Sequence, residues 1–282
     1  MIAILVFLVM TLAPPCLAST LETEHSFKTS DRATLHYKNV GQGERALVFI
    51  PGWLMPAEVF KLQWRDLAED HRVVVLDPRG QGRSQVQAKD MSAARRARDI
   101  HELVQHLKLS NYVLIGWSLG VMEMLETLTR HPMPGLQGLV LIDNSIGMGP
   151  APVASGARRQ RPMGREPFDR YVKEFSRAIF KRVPEDGLLQ AVEQSARLLP
   201  PPVAWRLLDK PHARDYYRQA VLASSVPLWY AITPRYQAQA EELLQTRAAA
   251  TVTVFDDAGH ALFVDSAPAF NAGLRQFLSR LP

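Results

Sequence analysis

At 282 residues, with 47% hydrophobic and 22% charged side chains, the chain can bury a full core and reads as one domain carrying an insertion rather than as two equal domains. The formal net charge is +5, and it is concentrated: between Ala151 and Arg182 nine Lys or Arg face three acids, which excludes the broad basic surface of a general nucleic-acid binder. Cys16 is the only cysteine, so a chain cut after Ala18 forms no disulfide and carries neither a thiolate nucleophile nor a thiolate metal site.

Ile2 to Ala13 form an apolar run too short to span a bilayer, stopped by Pro14-Pro15 and followed by Cys16-Leu17-Ala18, a plausible cleavage point. Residues 1–18 are therefore expected to be a signal peptide, although no Lys or Arg opens them. With it cleaved, the protein is exported to the periplasm or beyond; uncleaved, it stays cytoplasmic or membrane-associated. His36 to Val40 and the stretch before it predict an N-terminal hairpin. Ala46–Ile50, Arg72–Leu76, Tyr112–Ile115, Gly138–Ile142, Leu228–Ile232 and Thr251–Phe255 are short, apolar and rich in β-branched residues, which predicts buried strands of a mostly parallel sheet. Helical patterns lie between them at Pro56–Glu69, Ser92–Lys108, Leu119–Arg130, Arg235–Thr246 and Pro268–Leu281. That alternation predicts an α/β layered fold.

The rhythm breaks after the sixth strand. From Met148 to about Ser225 no buried strand is visible, while Phe168–Phe180, Gly187–Leu199 and Ala213–Ala223 are amphipathic and separated by Pro184 and Pro200-Pro201-Pro202. Residues 148–225 are read as a helical cap set into a core of residues 19–147 and 226–282. The basic segment lies in this cap, as a solvated helix face or as a patch that attracts anionic partners. Leu188, Leu189, Val192, Leu198 and Leu199 predict either a hydrophobic pocket roof or packing.

Gly116-Trp117-Ser118-Leu119-Gly120 directly follows a predicted strand and directly precedes a predicted helix. This is the setting in which G-x-S-x-G forms a sharp elbow that lifts the Ser hydroxyl out at the sheet edge. Pro51-Gly52-Trp53 ends the strand Ala46–Ile50 in a tight turn, so the amides of Trp53 and Leu119 are candidate oxyanion donors and Trp117 a candidate substrate contact. Gly259-His260 follows the last strand, which suits a general base reaching back to Ser118. Asp143 ends the run Gly138–Ile142, in the strand expected beside the one carrying Ser118. Asp256 and Asp257 are its rivals as partner of His260, but they precede the histidine closely. No His, Asp and Glu cluster shows metal-ligand spacing, so no metal or organic cofactor is implied.

From Gly41-Gln42-Gly43 to the C-terminus the chain resembles the α/β-hydrolase fold superfamily, through the elbow, Gly52-Trp53 and the turn Asp77-Pro78-Arg79-Gly80-Gln81-Gly82-Arg83-Ser84. It is similar to carboxylesterases of the pimeloyl-ester type and to cofactor-free haloperoxidase-like esterases. The resemblance implies a serine esterase with Ser118 as nucleophile and His260 as base, with thioester or peptide bonds also open to the same acyl chemistry. It also implies an acid a few residues past the seventh strand, but Leu228 to Tyr236 contain no carboxylate. Haloalkane dehalogenase-like relatives place theirs at the end of the preceding strand, the position of Asp143. The expected partner is a small-molecule ester, with anionic or carrier-bound esters and membrane surfaces also candidates. The competing reading is a binding protein that kept the fold and lost its acid.

Overall fold

The computed structural model describes residues 23–86, 90–152, 161–184, 187–209 and 211–282. The expected signal peptide, together with Arg158 and Arg159 of the basic segment, lies outside the described residues. Strands β1 (Thr23–Lys28) and β2 (Thr34–Val40) form the N-terminal hairpin. They are followed by β3 (Ala46–Ile50), β4 (Arg72–Leu76), β5 (Tyr112–Trp117), β6 (Leu136–Ile142), β7 (Leu228–Ile232) and β8 (Ala250–Val254). The sheet order is β1-β2-β4-β3-β5-β6-β7-β8; the pairs β1/β2 and β2/β4 are antiparallel and the others parallel. Such a sheet buries both faces. Leu47 and Phe49 accordingly point into one core cluster, and Val48 and Ile50 into the other.

Around the sheet stand α1 (Lys61–Leu67), α2 (Ala93–His106), α3 (Leu119–Arg130), α8 (Gln237–Thr246), α9 (Leu262–Asp265) and α10 (Ala267–Leu278). Between β6 and β7 lie α4 (Arg165–Ala178), α5 (Leu188–Ala196), α6 (Pro201–Arg206) and α7 (Arg214–Ala223). Helix α6 corrects the reading of Pro200-Pro201-Pro202 as a mere separator. Proline is tolerated in a first helical turn, where its missing N–H has no intrahelical acceptor, and here it starts the helix.

Because the chain runs from β3 outward to β4 and returns to β5 on the other side of β3, the strand order reverses between β3 and β5. The C-terminal ends of two neighbouring strands therefore open a crevice there, and the loops after β3 and β5 line it. A third apolar cluster joins this crevice to the helices above it, with Trp53 and Leu54 packed among Phe168, Val172, Leu199 and Trp205.

Candidate active site

Ser118 is the single residue between β5 and α3, at φ 54° and ψ −118°, a conformation sparsely populated by residues other than glycine. Its amide donates to the Ile142 carbonyl at 3.0 Å, which ties the turn to β6. Two glycines allow the close packing here. A Cβ on Gly120 would lie 2.3 Å from the Ile50 carbonyl oxygen, and one on Gly52 would lie 3.0 Å from Cβ of Ser118. The loop after β3 thus comes against the elbow, with Trp53 next in the chain. The Leu119 amide opens α3, where N–H groups lack carbonyl partners within the helix. The side chain of Asn144 donates to the Ser118 carbonyl at 2.7 Å, and the Tyr230 hydroxyl to that of Asn144 at 2.7 Å.

His260 stands in the loop between β8 and α9. Its Nε2 lies 2.9 Å from Oγ of Ser118, and its Nδ1 lies 2.7 Å from Oδ2 of Asp143. Asp143 follows β6 directly, has a nearly inaccessible side chain and takes φ 44°. The Thr233 amide and hydroxyl both donate to its other oxygen. Burial first, and the neighbouring charge of Asp143 second, push the Tyr236 hydroxyl up to about 12. Asp257, by contrast, is exposed and paired with Lys181 and Arg182 at 2.7 Å each, and Asp256 is exposed as well.

Trp117 does not line the crevice as a substrate contact. Its indole is buried beneath the histidine, donates to the His260 carbonyl at 2.9 Å and packs beside the imidazole and Phe263. The histidine loop is also gripped from the α4 side. Ala261 donates to the Ile179 carbonyl at 2.8 Å, and one oxygen of Asp265 accepts from the amides of Gly259 and Lys181 at 2.8 and 2.9 Å.

A cavity of about 140 Å³ opens beside Ser118. Leu119, Met122, Leu207, Leu208 and Tyr217 give it apolar walls, and Arg96, Glu123, Asn144, His212 and Arg214 give it polar ones. Arg96 donates to Glu123 at 2.5 Å and also bonds the carbonyls of Met91 and Leu207. Burial pushes the Glu123 carboxyl up, against the lowering influence of Arg96. The apolar residues expected either to roof a pocket or to pack do not border this cavity: Leu188, Val192 and Leu199 are buried in core clusters, Leu189 packs against one, and Leu198 is exposed. The basic residues from Arg161 to Lys181 and Arg182 do not border it either, and six of the seven described there sit against an acid. Among the described residues no helix is long and apolar enough to cross a membrane, and no group of three or more His, Cys, Asp or Glu is arranged to hold a metal ion.

Asp77 in the turn after β4 acts as scaffolding. It accepts from the amides of Ala57 and Arg83 at 2.6 and 3.0 Å and contacts Nδ1 of His36 at 2.7 Å, while Arg79 from the same turn pairs with Asp31 and Asp99.

The sequence pattern of the alpha/beta hydrolase family matches residues 47–272. The chain belongs to that family. Among curated members it is 28% identical over 119 residues to the AB hydrolase superfamily protein YisY of Bacillus subtilis, an alignment covering 42% of this chain and 44% of that protein. It is 28% identical over 260 residues to the N-formylmaleamate deformylase of Pseudomonas putida, covering 86% of this chain and 92% of that one. The solved esterase RhEst1 from Rhodococcus sp. ECU1013 shares the alpha/beta hydrolase fold at a TM-score of 0.78 and 18% identity, over 92% of this chain and 99% of its own.

Three residues at the site of this alpha/beta hydrolase escape a reading of the sequence: Thr233, Asn144 and Glu123. Only Thr233 had a signal, its place at the end of β7 where the resemblance calls for an acid.

Proposed function

We propose that the protein is a serine hydrolase that cleaves small carboxylic esters through an acyl-enzyme on Ser118. The observation that carries the reading is the relay of contacts, 2.9 Å from Ser118 to His260 and 2.7 Å from His260 to Asp143. With Nδ1 protonated and donating to Asp143, Nε2 is free to take the Ser118 proton as Oγ attacks the carbonyl carbon. Asp143 then stabilises the imidazolium. The amides of Leu119 and Trp53 hold the developing oxyanion. His260 returns the proton to the leaving alcohol, and water releases the acid by the same steps.

A binding protein without chemistry would lack the acid, and the contact between Asp143 and His260 weighs against that reading. Cleavage of a small N-acyl bond is a second reading, favoured by the near full-length match to a deformylase and by the small, partly polar cavity. A preference for anionic or carrier-bound esters draws little support from the described residues of the basic segment, most of which are paired and none of which borders the cavity. We read that segment as a solvated face of the cap.

A fluorophosphonate probe should label the purified protein, and Ser118→Ala should abolish labelling and lower ester turnover by about 10⁴-fold with the fold intact. Labelling that persists in the variant overturns the assignment. Running short esters beside their amide counterparts decides between ester and N-acyl cleavage.

A further inference from the structure

The segment that ends β7 holds no carboxylate, yet it reaches the site. Its contribution is Thr233, whose amide and hydroxyl both donate to Oδ1 of Asp143 at 2.7 Å each, while Oδ2 faces His260 at 2.7 Å. We propose that Thr233 is a positioning residue for Asp143, so that the end of β7 clamps the acid supplied by β6. The proposal rests on the serine-hydrolase reading above.

The last torsion of an Asp side chain has broad, roughly two-fold wells, so one contact to an imidazole does not hold the group in plane. Two donors converging on Oδ1 do hold it, and they leave Oδ2 aimed at Nδ1. The side chain is only 3% exposed, so water cannot substitute freely for a lost donor. The Asp143 backbone is in the left-handed region, and its amide is tied to the Ala231 carbonyl in β7 at 2.9 Å, so both the main chain and the carboxylate are fixed by the same strand.

Thr233 is held in turn. It precedes Pro234, which opens the short 3₁₀ turn Pro234–Tyr236, and it takes the extended conformation that a residue before proline favours. Its amide and hydroxyl are thereby presented to one side. Thr233 does not border the cavity beside Ser118, and its side chain bonds to Asp143, so its effect on the reaction passes through Asp143 and His260.

Thr233→Val keeps the β-branched shape and removes one of the two donors, and Thr233→Ser restores it. Ester kinetics on the full-length protein, normalised by fluorophosphonate titration of active sites, separate misfolded protein from mispositioned acid. In Thr233→Val, kcat per titrated site should fall about tenfold, the scale of one lost charge-assisted hydrogen bond, with KM within about twofold of wild type. Thr233→Ser should recover most of the loss. In an Asp143→Asn background Thr233→Val should cost little more, because its route is already cut. A wild-type kcat in Thr233→Val, or losses that multiply independently in the double variant, overturns the proposal. Absence of probe labelling in the wild type overturns the serine-hydrolase reading itself, and the proposal with it.

Discussion

The indole Nε1 of Trp53 donates to the carbonyl of Ala204 in α6 at 2.7 Å, and its ring stacks on Trp205 with centroids 4.9 Å apart. One side chain thus fastens the loop beside Ser118 to the helices inserted between β6 and β7. Trp53→Phe keeps an aromatic ring and deletes the donor, which leaves the Ala204 carbonyl unpaired in a buried cluster. We expect a loss of about 1–3 kcal/mol in urea unfolding and a several-fold fall in kcat. An unchanged unfolding midpoint would show that the bond adds no net stability.

Asp143→Asn should lower ester turnover by about 10³- to 10⁴-fold while Ser118 still labels slowly, since an amide neither holds the working tautomer of His260 nor stabilises its cation. Asp257→Asn should turn over within about twofold of wild type, because surface ion pairs such as those to Lys181 and Arg182 carry little energy. The reverse pattern in steady-state kinetics would move the acid into the histidine loop.

On the proposed ester chemistry, the cavity beside Ser118 bears on acyl length. A space of about 140 Å³ bounded by Met122, Leu207 and Tyr217, with the ion pair of Arg96 and Glu123 on its wall, suits short acyl groups. Across a panel from acetate to dodecanoate of one aryl alcohol, kcat/KM should peak at short chains and fall by about 100-fold or more at the longest. A maximum at the long end would place the acyl chain elsewhere.

Stability should depend on pH through His36, whose nitrogens lie 2.7 Å from Asp77 and 2.5 Å from Glu24. Burial disfavours its charge and Arg83 opposes it, but Asp77 and then Glu24 outweigh both and hold its pKa above the ordinary 6.5. A group with a raised folded pKa stabilises fully below its unfolded value and loses that stabilisation as pH rises through the folded value. The thermal midpoint should therefore decline as pH climbs above 6.5 through the raised folded value, and His36→Gln should flatten that part of the curve. An identical slope in the variant would assign the pH dependence to other groups.

Much of this molecule is written locally. Ala46–Ile50, Arg72–Leu76 and Leu228–Ile232 have the expected limits because strands buried on both faces need unbroken apolar runs, and turn residues end them. Gly116-Trp117-Ser118-Leu119-Gly120 announces itself because a strained turn crossing another strand tolerates only glycine at its tight positions, a constraint carried by five consecutive residues. Other features depend on parts of the chain far apart. Whether Asp143, Asp256 or Asp257 meets His260 is decided by the placement of β6 beside β7 and by the turn of the histidine loop, which brings together residues 117 positions apart. Trp117 is buried beneath the histidine rather than open to substrate because that loop folds back over its indole. The leucines of α5 pack inward because the amphipathic pattern records only that a face is covered, while the neighbour that covers it is chosen by the packing of the whole chain.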